Sequence, residues 1–260
     1  MGVWSQVARP ADGAAWVTGA SAGIGRALTL ALADRGWTVH ATARNAEALA
    51  ALAAERPGRI VAQPGDVADA ARMAEIVAAI EAETPLALAV LNAGVYLPMR
   101  AQEFDAGKVA QTFAINVVGA ANGLDPVLKA MIARGKGQVA LSASVAGYRG
   151  LPRAAAYSAS KAALIAMAEA LAFDLIDLGV RLSVINPGFV ETEATSVNDF
   201  DMPFLMAADK AAAIIRRGLA RDDARIVFPW QMHLAAWLLA ALPPAWTDPI
   251  LNRKLSGREW

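Results

Sequence analysis

The chain has no cysteine and only two histidines, His40 and His233, among its 260 residues. Disulfides and thiolate metal sites are therefore excluded, and two imidazoles alone do not make a typical zinc site, so no metal is expected. Net charge is also missing: Lys plus Arg and Asp plus Glu each number 24. Without a basic surplus, neither nucleic acid nor an acidic lipid surface is an expected partner. Charged residues make up 18% and hydrophobic ones 56%, the reverse of the balance that keeps a chain disordered. Long apolar runs are lacking too. Residues 1–13 carry no signal-peptide core, and Gln6 stands where a myristoylation motif after Gly2 needs Ser or Thr. The apolar stretch 230–242 contains Gln231 and His233 and stops at Pro243-Pro244, too short to span a bilayer. Membrane contact is not expected, and the cytoplasm is the default address.

What is present is alternation. Short apolar strand candidates at 14–18, 38–42, 60–63, 86–91, 138–142 and 181–186, with a weaker one at 226–228, are separated by Ala- and Leu-rich segments of helical period. The helix candidates are 25–35, 46–55, 68–82, 109–133, 155–178 and 210–220. Strands that are apolar throughout belong to a parallel sheet covered on both faces. The pattern predicts an α/β fold, a doubly wound parallel sheet of Rossmann type, in a single domain over residues 1–260 with a C-terminal helical extension at 228–260. Gly36, Gly135, Gly137 and Gly179 fall between helix and strand, where a left-handed turn is expected. An irregular insertion at 189–207, with Glu191, Thr192, Asp199, Asp201 and Pro203 among large apolar residues, reads as a substrate lid.

Thr18-Gly19-Ala20-Ser21-Ala22-Gly23-Ile24-Gly25 follows the first strand and opens the first helix. Glycines let backbone approach a pyrophosphate, which the free N–H groups of the helix start then bind. The spacing G-x-x-x-G-x-G is not the common dinucleotide fingerprint; the strand–turn–helix setting carries the reading, beside the plainer one of a structural turn. The second strand ends Thr42-Ala43-Arg44-Asn45, without the carboxylate that a free ribose 2′-hydroxyl would want. Arg44 suits a 2′-phosphate instead, which favours NADP(H) over NAD(H).

Tyr157 and Lys161 stand four residues apart in a helical pattern, so phenol and ammonium share a face. A unit charge about 4 Å away is worth about 4 kcal/mol at an effective dielectric of about 20, enough to draw a phenol toward use as a general acid/base near neutrality. Ser144 follows the fifth strand, at the carboxyl end where ligands gather in open sheets. There it can hold a carbonyl oxygen, or simply satisfy a turn. Asn116 interrupts an otherwise apolar segment and either bonds backbone at a kink or orients a water.

Together these residues resemble the short-chain dehydrogenase/reductase family in its compact form. The resemblance runs from about residue 14 to 192, through the glycine turn, Asp66-Val67, Asn92-Ala93-Gly94, Asn116, Ser144, Tyr157-x-x-x-Lys161 and Pro187-Gly188-x-x-x-Thr192. It implies that Tyr157 exchanges the proton, Ser144 polarises the substrate oxygen, and Lys161 lowers the phenol pKa and bonds the nicotinamide ribose. Asn116 would steady a relay water. Gly19, Ser21, Gly23, Ile24 and Gly25 would cradle the phosphates, Asp66 and Val67 would meet the adenine, and Asn92, Ala93 and Gly94 would line the floor. Pro187, Gly188, the Val190 backbone and Thr192 would fix the carboxamide.

Three positions depart from the family pattern: Ala143 where a second Ser is frequent, Leu91 where another Asn is frequent, and Ala22 where many NADP-dependent members carry a basic residue. The resemblance implies hydride exchange between NADP(H) and a ketone, aldehyde or secondary alcohol. Tyr96, Met99, Val145, Leu151, Phe189, Phe200, Met202, Phe204, Leu205 and Met206 could wall an apolar substrate pocket. A silent NADP(H)-binding regulator is the alternative from another class, and a sugar-nucleotide epimerase or dehydratase a third. Helices 109–133 and 155–178 could pair copies of the chain into a homo-oligomer, as in many relatives.

Overall fold

In the computed structural model the described residues are 7–196, 202–232, 234, 238 and 242. Asp199, Phe200, Asp201 and His233, weighed above, lie outside them, as does most of the C-terminal extension expected at 228–260. Seven strands form one parallel sheet: β1 (Ala14–Thr18), β2 (Val39–Thr42), β3 (Ile60–Ala62), β4 (Leu86–Leu91), β5 (Gly137–Ser142), β6 (Val180–Pro187) and β7 (Arg225–Phe228). Their spatial order is β3-β2-β1-β4-β5-β6-β7, the doubly wound arrangement that the alternation predicts. All residues of β1 and of β4 are buried, which is why neither strand shows a polar face in the sequence.

Helices cover both sides. One layer buries Leu28 and Leu32 of α1 (Gly23–Ala33), Leu49 and Leu52 of α2 (Ala46–Glu55) and Ile215 of α7 (Ala208–Ala220) against Ala15 and Val17 of β1. The other buries Met73 and Ile80 of α3 (Ala70–Glu83), Leu124 and Met131 of α5 (Gly119–Arg134) and Leu164 of α6 (Ala155–Leu175) around Trp16. Composition explains the helices themselves. Residues 46–55 are Ala, Leu and Glu, all strong helix formers, and Asn45 caps them by accepting from the Ala48 amide at 3.0 Å.

The expected single helix over 109–133 is instead three segments: α4 (Ala106–Phe113), a π-turn at Ala114–Val118, and α5. The cause is Asn116. Its fully buried side chain accepts from the Val95 amide at 2.7 Å and donates to the Val95 carbonyl at 3.0 Å, and a bulge of one residue lets it reach out of the helix. Gly36, Gly135 and Gly179 take the expected left-handed conformation. Gly137 does not; it belongs to β5, where a Cβ would lie 2.3 Å from Met131, so space rather than φ selects it. Among the described residues, no helix is long and apolar enough to cross a membrane.

Candidate active site

The direction of winding reverses between β1 and β4, and there, at the carboxyl ends of the strands, lies a cleft of about 590 Å³. Its base is the turn after β1. Gly19 and Gly23 have φ of 67° and 52°, and a Cβ on Gly25 would lie 2.1 Å from the Gly19 carbonyl oxygen. The turn can close this tightly only without those side chains. The α1 N-terminus carries no side-chain cap and no acidic residue in its first turn. Its free N–H groups therefore face the cleft with nothing to neutralise them, a setting suited to a diphosphate.

Thr18 braces this turn: its Oγ1 accepts the amides of Asn92 at 2.9 Å and Ala93 at 3.1 Å. Asn92 in turn accepts from the Ser142 hydroxyl at 3.1 Å, so the ends of β1, β4 and β5 are tied together. At the far side, Arg44 is exposed on the cleft rim and makes no hydrogen bond or ion pair among the described residues. Asp66 and Val67 line the same end, and Asn122 fixes their loop by donating to the Val67 carbonyl at 2.9 Å.

At the inner end, α6 delivers Tyr157 and Lys161 and the β5 terminus delivers Ser144. Ser144 Oγ accepts from the Ala146 amide at 3.1 Å and donates to the Pro187 carbonyl at 3.3 Å, which orients it toward the phenol. Burial pushes the Tyr157 phenol up, and hydrogen bonding with Ser144 only partly opposes this. Lys161, 4% exposed, is lowered to about 8 by the same loss of solvent. Its ammonium lies 5.6 Å from the Tyr157 ring centre and donates to the Ser142 carbonyl at 2.6 Å. The phenol therefore moves up, not down as the neighbouring charge alone would have it.

Of the site residues expected from the sequence, all but two line this one cleft. Gly25 lies under the turn, and Asn116 lies behind the wall with its side chain committed to Val95 and, at 3.0 Å, to the Ser160 hydroxyl. Ser160 donates onward to the Tyr157 carbonyl at 2.7 Å, which links the π-turn to the first turn of α6. Asn116 is thus joined to Tyr157 through Ser160. Gly94 permits this crowding, because a Cβ there would lie 3.2 Å from Asn116 Oδ1 and 3.4 Å from Lys161 Nζ.

Sequence reasoning missed Thr195, which lines the cleft, donates to the Val190 carbonyl at 2.6 Å and accepts the Thr192 amide at 3.0 Å. The T-x-x-T spacing was its one trace. Thr192 packs over the phosphate turn, 2.7 Å from where a Gly23 Cβ would be. Of the apolar wall candidates, Tyr96 lines the cleft. Met99 and Val145 are buried, Met206 packs on the core, and Phe204 and Leu205 face solvent.

Comparison with known proteins agrees with this geometry. A "short chain dehydrogenase" family model matches residues 13–201. An uncharacterized oxidoreductase of Myxococcus xanthus (strain DK1622) is 41% identical over 243 residues, covering 92% of this chain and 96% of that protein. Levodione reductase superposes with a TM-score of 0.77 at 23% identity, over 84% of this chain and 96% of that one. The solved structure of ElxO with NADP bound gives 0.74 at 21% identity, over 83% and 97%. The chain belongs to the short-chain dehydrogenase/reductase family and is an oxidoreductase of that family.

Proposed function

We propose that the protein exchanges a hydride between NADP(H) and a hydrophobic ketone, aldehyde or secondary alcohol, with Tyr157 as general acid/base. One observation carries the reading: Tyr157, Ser144 and Lys161 converge in the cleft whose other end is a glycine turn against an uncapped helix start. When bound, the nicotinamide supplies or takes up the hydride equivalent. Gly19, Ser21, Gly23 and Ile24 would hold its diphosphate, Arg44 its 2′-phosphate, and Pro187, Gly188, Val190 and Thr192 its carboxamide end. ElxO, a fold relative, was solved with NADP, and the free Arg44 favours the same cofactor here.

Within the chain, Ser144 accepts or donates at the substrate oxygen and orients it. Tyr157 gives that oxygen its proton in reduction and takes it back in oxidation. Its raised pKa suits the donor role, because the phenol stays protonated through neutral pH. Lys161 holds positive charge beside the phenol, and Asn116 and Ser160 hold the first turn of α6 in register. Single-domain organisation over 1–260 and self-association through the helices around α5 and α6 belong to the same reading; Phe173 on α6, 80% exposed, leaves apolar surface for such a contact.

The test is NADPH oxidation with a panel of apolar ketones by the wild type and by Tyr157→Phe. Turnover should fall by about 10² or more in the variant while NADPH binding, followed by its fluorescence, stays near normal. Equal turnover would remove the tyrosine from the reaction. Tight NADPH binding with no turnover across the panel would favour the silent regulator instead.

A further inference from the structure

The Tyr96 side chain has no part in the chemistry assigned above, yet it stands against the reacting group. Its ring centre lies 5.2 Å from that of Tyr157 at an interplanar angle of 73°, an edge-to-face pair. The loop that carries it is fixed from behind, since Asn116 bonds both backbone polar atoms of the preceding residue, Val95, at 2.7 and 3.0 Å. Its chain neighbours Val95 and Leu97 line the cleft with it, so this stretch of the wall offers apolar surface and one aromatic face.

We propose that Tyr96 is a specificity-determining residue that selects carbonyl substrates bearing an aromatic ring next to the reacting carbon. The proposal rests on the oxidoreductase reading. A carbonyl oxygen held by Tyr157 and Ser144 turns its substituents away from the phenol along the cleft wall, where Tyr96 is the aromatic neighbour. Rings attract one another in offset or edge-to-face geometry through their quadrupoles, beyond the burial that any alkyl group also gains. Tyr96 already holds that geometry with Tyr157, so a substrate ring completes an aromatic cluster. A straight chain of equal carbon number gains burial alone.

The experiment compares acetophenone with 2-octanone, two methyl ketones of equal carbon count, for wild type, Tyr96→Leu and Tyr96→Phe. Wild type should favour acetophenone in kcat/KM. Tyr96→Leu should raise KM for acetophenone roughly fivefold relative to 2-octanone, with NADPH fluorescence titration unchanged. Tyr96→Phe, which keeps the ring, should retain the preference and guards against loss of folding in the leucine variant. An equal fall on both ketones would make Tyr96 a mere support for Tyr157 and overturn the inference alone. Loss of preference in Tyr96→Phe would also overturn it, by assigning the effect to the hydroxyl. NADPH binding without reduction of either ketone or of any other in the panel would overturn the proposed reaction and this inference with it.

Discussion

Lys161 Nζ donates to the Ser142 carbonyl at 2.6 Å from a position only 4% exposed. That single strong acceptor does not replace the lost water, and burial lowers the ammonium from 10.5 to about 8. Linkage then fixes the sign. Between about pH 8 and 10.5 the unfolded chain binds this proton and the folded one does not, so raising the pH favours the folded state.

Relative to Lys161→Met, whose side chain does not titrate, the wild type without added dinucleotide should therefore gain up to roughly 3 kcal/mol across that window. Below pH 8 both states are protonated and the difference should be flat. Urea midpoints measured at half-unit pH steps read it directly. A wild-type curve parallel to that of the variant would mean that the lysine is not desolvated.

Much of this was legible in the sequence, for identifiable reasons. Strands 14–18 and 86–91 were placed to the residue because burial on both faces leaves an uninterrupted apolar run. The glycine turn was legible because a Cβ at Gly25 has nowhere to go. The π-turn was not, because Asn116 betrays a kink but not the Val95 backbone, 21 positions away, that it satisfies. Desolvation of the half-buried Tyr157 was equally hidden: helical spacing put Lys161 on its face, and only the packed fold reveals the loss of solvent that raises the phenol.

Asn116 fills three hydrogen-bonding positions from a fully buried site. Asn116→Ala would leave the Val95 amide and carbonyl unpaired, and each buried orphan costs about 1–3 kcal/mol. A loss of about 3 kcal/mol in urea unfolding is expected, together with lower turnover, because the link through Ser160 to the Tyr157 carbonyl is cut. Ser160→Ala should reduce turnover less and leave the Val95 clamp intact. A stability change below about 1 kcal/mol in Asn116→Ala would mean that water replaces the side chain there.

In the proposed reading, Arg44 decides between the two cofactors. It stands exposed on the rim at the end of β2 and makes no ion pair among the described residues, so nothing in the described protein competes for its guanidinium. A 2′-phosphate meets it through charge-assisted hydrogen bonds, which contribute about 1.5–3 kcal/mol. A ribose hydroxyl offers no such partner. Arg44→Ala should therefore raise KM for NADPH by about tenfold or more and leave KM for NADH within about twofold. Because an exposed contact of this kind is screened, the NADPH advantage of the wild type should also shrink as salt rises from about 0.01 to 1 M, while the variant stays flat. Parallel loss of both cofactors in Arg44→Ala would place the arginine on the shared adenosine half and leave the 2′-phosphate without a clamp.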